Sequence, residues 1–204
     1  MVLIAEALTP DFGKRFWEFV KEGGYENRLR SNGTPQYFRF DKPKKSDFPY
    51  MIELFSKSEN ILDSEGHDCI PLHLDDDISS LSAILLNSSY YQMLIDGRTI
   101  IDDVVILSTH HLIPFKARAW LDLLERKSQG YHVDERDIKK HKNDVIRLTS
   151  ILVSQERCLL SEEVRKDMEL FVEKLEKEPI NPKILKIPGV SFEDIIKVLQ
   201  KVYL

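Results

Sequence analysis

Hydrophobic periodicity changes once along this chain, near Ser108, and the change limits the folds open to it. Upstream, apolar residues fall in short runs and alternations. Val2-Leu3-Ile4-Ala5 reads as a short buried strand. Thr9-Pro10-Asp11 is a helix start, with Phe12, Phe16, Phe19 and Val20 on one face and Gly23-Gly24 as the stop. Residues 28–35 read as a polar turn. Residues 36–40 and 50–55 read as two strands that pair antiparallel across a loop. An irregular acidic stretch covers 60–77, and 78–95 holds apolar runs with a short helix near 90–94. Thr99-Ile100-Ile101 and Val104-Val105-Ile106-Leu107 flank Asp102-Asp103, a hairpin with a two-residue turn. Downstream of Ser108 the period is helical throughout, over 112–127, 134–153, 161–178 and 191–203, with Pro179, Pro182 and Pro188-Gly189 in the last connection. The expectation is an α+β chain: a β-containing part over 1–108 and a helical region over 109–204 packed on it.

Composition removes several classes of function. Hydrophobic residues make up 42% and charged residues 31% of the 204, which suits a packed core. A net charge of -5 argues against a protein that coats nucleic acid. Cys69 and Cys158 lack metal-ligand spacing and read as reduced, partly buried thiols, so a cytoplasmic location is expected. No run approaches the ~18 apolar residues of a membrane helix, and residues 1–7 lack the basic flank of a signal peptide. No glycine-rich phosphate loop is present, and Gly23-Gly24 follows a helix rather than opening one.

A few residues could carry chemistry. Glu53 interrupts the apolar strand Met51-Ile52-Glu53-Leu54-Phe55, where alternation puts Ile52 and Leu54 on one face and Met51, Glu53 and Phe55 on the other. A carboxylate there is paired, hydrated or bound to metal, or it faces solvent from an edge strand. On the helix after Pro114, Leu112, Phe115, Ala119 and Leu123 form an apolar stripe with Lys116 beside it; an isolated lysine of this kind is ordinarily a solvated surface group. On the next helix Ile138, Val145, Leu148 and Leu152 form the buried stripe. Asp137, His141 and Asp144 share a face at i, i+4 and i+7, bordered by Lys140. That row is either a site or a structural network anchoring the helix. His110-His111 point apart, and His67 and His73 lie in an acidic, exposed stretch.

Four segments together resemble bacterial nucleotidyltransferase-like proteins of the AbiEii toxin family. They are residues 2–17; Tyr50-Met51-Ile52-Glu53-Leu54-Phe55-Ser56; Leu112-Ile113-Pro114-Phe115-Lys116-Ala117-Arg118-Ala119-Trp120-Leu121-Asp122-Leu123; and Asp137-Ile138-Lys139-Lys140-His141-Lys142-Asn143-Asp144-Val145-Ile146-Arg147-Leu148. The resemblance covers most of residues 1–153. It implies a nucleotidyltransferase-like mixed sheet with flanking helices and a helical second half. It also implies transfer of a nucleotidyl group from a nucleoside triphosphate with magnesium (Mg2+). Glu53 matches the third metal carboxylate, Lys116 a lysine facing the triphosphate, and Asp137 and Asp144 the acidic helix motif; Lys140 and His141 border the expected nucleotide site. The family's glycine turn and D-x-D pair should stand immediately before Val2, where this chain has Met1. The expectation is therefore a transferase that is active in a longer form and inactive as this chain stands, with an RNA or protein acceptor and an antitoxin protein as partners. The alternative is a non-catalytic RNA- or protein-binding module that uses the basic residues of helices 112–127 and 134–153: Lys116, Arg118, Arg126, Lys127, Arg136, Lys139, Lys140, Lys142 and Arg147.

Overall fold

The computed structural model describes residues 2–5, 10–29, 35–57, 69–72, 81–152 and 156–204. His67 and His73 lie outside them. The chain divides into two compact units, 1–91 and 92–204. The division falls inside a helix, ahead of the change of period at Ser108.

The first unit is a six-stranded mixed sheet with one helix against it. Its strands are β1 (Val2–Ala5), β2 (Glu26–Leu29), β3 (Pro35–Asp41), β4 (Met51–Lys57), β5 (Cys69–Leu72) and β6 (Leu81–Leu86), and its helix is α1 (Pro10–Gly23). The order is β2-β3-β4-β6-β5, and β1 also pairs with β4. Glu53 stands opposite both Val2 and Arg39, and Phe55 opposite both Ile4 and Ile84. One edge of β4 therefore carries β1, while β3 and β6 share the other. β1 and β6 run parallel to β4, and β3 runs antiparallel as expected.

Phe16, Trp17 and Val20 on α1 pack onto Phe40, Ile52 and Leu54. The ring of Phe40 takes both aromatic neighbours edge-on, at 5.3 Å from Phe16 and 5.5 Å from Trp17. Gly24 ends α1 at φ 65°, a conformation costly for a residue with a Cβ. The loop after β3 is tied back by the Tyr25 hydroxyl, which donates to the Pro49 carbonyl at 2.6 Å. Three strands go beyond the sequence reading. β6 forms within the apolar runs of 78–95. β2 occupies part of the supposed turn over 28–35, and β5 lies inside the stretch expected to be irregular.

The second unit holds most of α2 (Ser88–Asp96), the hairpin β7 (Arg98–Ile101) and β8 (Val104–Leu107), and four longer helices. These are α3 (Thr109–Ser128), α4 (Glu135–Ser150), α5 (Glu162–Glu176) and α6 (Phe192–Tyr203), with a 3-10 turn at Pro182–Leu185. The hairpin turns at Asp102 (φ 49°) and Asp103 (φ 61°), the positive-φ pair a two-residue turn requires. Its residues Ile100, Ile101, Val104 and Val105 are exposed. Side-chain caps open the last helices: Asp134 accepts from the Arg136 amide, Ser161 from the Val164 amide, and Ser191 forms a reciprocal capping box with Asp194.

The core of this unit gathers Ile113, Ala117, Trp120 and Leu121 of α3, Ile138, Val145 and Ile146 of α4, Met168, Phe171 and Leu175 of α5, and Ile195, Leu199, Val202 and Tyr203 of α6. Trp120 meets Phe171 edge-on at 5.2 Å. The α3 stripe thus differs from the expected one. Leu112, Phe115, Ala119 and Leu123 are only half-buried, while Ile113, Ala117 and Trp120 are fully enclosed. The reason is that α3 packs on both α4 and α5 and needs apolar residues on two sides. On α4, Ile146 and Thr149 join Ile138 and Val145 in the core, with Leu148 half-buried at its margin. Pro114 lies within α3 and has no N–H to give the carbonyl four residues back. The buried Tyr203 hydroxyl donates to that His110 carbonyl at 2.8 Å.

Candidate functional site

Five of the six residues singled out in the sequence come together on one flank of the α3–α4 pair. Each helix turns its core stripe toward the unit's interior, which leaves Lys116 on α3 and the row Asp137, His141, Asp144 on α4 beside the seam. The Lys116 ammonium lies 3.2 Å from Asp144 Oδ2, and the two side chains are 27% and 24% exposed. The Arg147 guanidinium stands 3.8 Å from the other Asp144 oxygen. Asp144 thereby holds Lys116 in place while leaving its ammonium within reach of water.

His141 sits one helical turn before Asp144 and is half-buried. Its Nδ1 is enclosed and makes no hydrogen bond. Burial first, then the positive charges of Lys116 and Lys140, push the imidazole below its ordinary pKa; Asp144 and Asp137 oppose them. Asp137 and Lys140 are exposed. The flank therefore joins a seated ammonium, a second lysine and a neutral imidazole, an arrangement suited to an anion with several oxygens. Two open clefts, of about 420 and 390 Å3, lie elsewhere, one at Pro182 and Ser191, the other at Trp17 and Lys44.

Glu53 belongs to the first unit. It projects from β4 on the face away from the Ile52–Leu54 core, 16% exposed, in an ion pair with Arg39 across the β3–β4 register. The Arg39 Nε is buried without a partner. A magnesium ion there would need more carboxylates and would have to displace the guanidinium. Among the described residues no three histidine, cysteine, aspartate or glutamate side chains gather as a ligand set. The residues described do not by themselves fit a magnesium site.

The basic residues of α3 and α4 are largely engaged. Arg118 lies 2.9 Å from Asp122 and 3.0 Å from Asp167 of α5, and Lys127 lies 2.5 Å from Glu135. Burial raises the Asp122 carboxyl above its ordinary value, against the pull of Arg118. Sequence reasoning counted Lys142 only among the basic residues of a binding surface, whereas its side chain is largely enclosed. Its side chain is 15% exposed, its ammonium is 6.0 Å from the Trp120 ring centre, and it pairs with Glu178 at 2.6 Å. The signal was present: Lys142 stands four residues from both Ile138 and Ile146, inside the buried stripe. Cys158 is a free, half-buried thiol. No helix among the described residues is long and apolar enough to cross a membrane.

Comparison with protein-family models, with curated proteins and with solved structures finds no match.

Proposed function

We propose that the chain is a nucleotidyltransferase-like protein of the AbiEii toxin type, and that the α3–α4 flank binds the polyphosphate of a nucleoside triphosphate. The observation that carries this reading is the Lys116–Asp144 ion pair. It joins residues from two separate segments of the resemblance, and it seats a lysine against an exposed flank rather than in the core. The mixed sheet with parallel β1 and β4, and Glu53 on β4, accords with the same family in the first unit.

In the reaction so proposed, an acceptor hydroxyl of RNA or protein attacks the α-phosphorus of the triphosphate and releases its proton to water. A new P–O bond forms, and the bond to the departing pyrophosphate breaks. Lys116 and Lys140 hold the polyphosphate oxygens and offset the charge that builds on the leaving group. Asp144 orients Lys116, and Asp137 balances the charge of the row. An antitoxin partner follows from the toxin type.

The alternative, a basic binding module for RNA or protein, is less well supported. Arg118, Lys127, Lys142 and Arg147 already stand beside carboxylates of the same chain.

Calorimetric titration with ATP tests the proposal. The chain should bind ATP, and Lys116→Ala should weaken binding at least about tenfold, the loss of one charge-assisted contact. Unaltered binding by that variant, or none by the native chain, overturns the reading. Label transfer from radiolabelled nucleotides, with this chain and with one extended through upstream coding sequence, tests the catalytic part.

A further inference from the structure

The hairpin β7–β8 carries apolar residues on both of its faces. Its register pairs Thr99 with Ile106, Ile100 with Val105 and Ile101 with Val104. Alternation therefore puts Ile101, Val104 and Ile106 on one face, and Ile100 and Val105 on the other. Ile100 is 69% exposed, and Ile101, Val104 and Val105 are each more than half exposed. The hairpin projects from a fixed base. The Ser108 amide donates to the Gly97 carbonyl at 2.8 Å, and a Cβ at Gly97 would strike His111 and Leu107. Among the described residues this sheet has two strands, so each strand has an open edge. A ribbon of two strands is marginal in water, and an apolar open edge is a template for a further strand. The charges select the edge and its partner. Arg98 opens β7 and Asp102 follows it, whereas β8 has no charged residue to answer Asp103. Arg98 Nε donates to the Ile95 carbonyl at 3.1 Å, and among the described residues neither Arg98 nor Asp102 is in an ion pair. The pair flanking a two-residue turn, Ile101 with Val104, is hydrogen-bonded. The next pair therefore turns the amide and carbonyl of Ile100 outward along the open edge. Two copies of β7 laid antiparallel and centred on Ile100 bring Arg98 of each opposite Asp102 of the other. Centring on Thr99 instead would bring Asp102 toward Asp96, a like charge.

We propose that the hairpin is a dimerisation element: β7 pairs antiparallel with β7 of a second copy of this chain, with Ile100 on the two-fold axis. The result is a continuous four-stranded sheet, closed at each end of the seam by an Arg98–Asp102 ion pair between copies. On one face Val105 and Ile100 of both copies form a single apolar row. On the other, Ile101 of each copy stands beside Thr99 of its mate. This inference is independent of the phosphate reading of the α3–α4 flank.

Sedimentation equilibrium of the whole chain over a concentration series tests it, and native protein should pass from monomer to dimer. Ile100→Lys sets two like charges on the axis, at a position already exposed in the single chain. It should leave only monomer, with the urea midpoint of the dilute protein unchanged. Arg98→Glu and Asp102→Lys should each weaken the dimer by about tenfold or more, because each sets like charges opposite one another at both ends of the seam. Lysine suits the turn position, since Lys42 and Lys186 hold the same left-handed conformation at φ 52° and 61°. An equimolar mixture of these two variants should dimerise about as tightly as native protein, because the mixed pair again joins opposite charges at both ends. Damage to the hairpin itself would not be repaired by mixing. Native protein that stays monomeric at every concentration overturns the proposal, and so does a dimer that Ile100→Lys leaves intact. A mixture that dimerises no better than its components overturns the pairing of Arg98 with Asp102.

Discussion

Replacing Tyr203 with phenylalanine tests how the core of the second unit accommodates a proline within a helix. Pro114 cannot donate to the His110 carbonyl, and its ring crowds that carbonyl away from the helix axis. The Tyr203 hydroxyl donates to it at 2.8 Å, from a side chain only 1% exposed. Burial also holds the phenol's pKa well above its ordinary value, so the group stays a donor throughout the accessible pH range. Tyr203→Phe keeps the ring packing and removes the donor inside the core. The cost is the net worth of a hydrogen bond plus part of the desolvation of the carbonyl, about 2 kcal/mol together. Pro114→Ala restores a helical N–H to the same carbonyl, so in that background Tyr203→Phe should cost about 1 kcal/mol less. The chain has two tryptophans, Trp17 in the first unit and Trp120 in the second. With Trp17→Phe throughout, Trp120 fluorescence during urea unfolding reports the second unit alone, and a four-variant cycle yields the coupling. Equal costs of Tyr203→Phe in the two backgrounds would refute the idea that the hydroxyl substitutes for the amide proline lacks.

Other outcomes follow from particular contacts. Lys142 contributes its stem to the core, so Lys142→Ala should cost about 1–2 kcal/mol by urea unfolding, while Lys142→Met, which keeps the stem, should change stability by less than about 1 kcal/mol. Asp103 sits at φ 61°, and Asp103→Gly should stabilise the hairpin by about 0.5–1 kcal/mol, read as a higher urea midpoint. His141 and His111 are both held below the ordinary imidazole value, chiefly by burial. The unfolded chain therefore binds protons that the folded one refuses as pH falls through about 6.5, and the protein should lose stability between pH 7 and 5.5. A His111→Asn, His141→Gln double variant should show a flatter profile in thermal unfolding, and an unchanged slope would assign the effect to other groups.

What was legible in the sequence, and what was not, follows from which surfaces each element must bury. The helices of the second unit announce themselves because each buries one stripe and begins at a side chain able to cap it, as Asp134, Ser161 and Ser191 do. Two of the strands that escaped notice, β2 and β5, are the ends of the sheet order, whereas β6 is paired on both sides and was read only as an apolar run. An end strand has only one paired neighbour, so it tolerates the polar run Glu26-Asn27-Arg28 and a proline at Pro71 that a central strand would reject. α3 failed for the opposite reason. Packed by α4 and α5, it carries apolar residues on two sides, and periodicity could not choose between the series through Leu112 and Phe115 and the one through Ile113, Ala117 and Trp120. That ambiguity reaches the site itself. The spacing of Asp137, His141 and Asp144 placed them on a common face, because spacing along one helix is a local property. The pairing of Lys116 with Asp144 depends on how α3 is rotated against α4, which the burial of Trp120 and Ala117 decides. Within this unit the core therefore sets the candidate site's geometry: a substitution that turns α3 about its axis should part Lys116 from Asp144 without touching either residue.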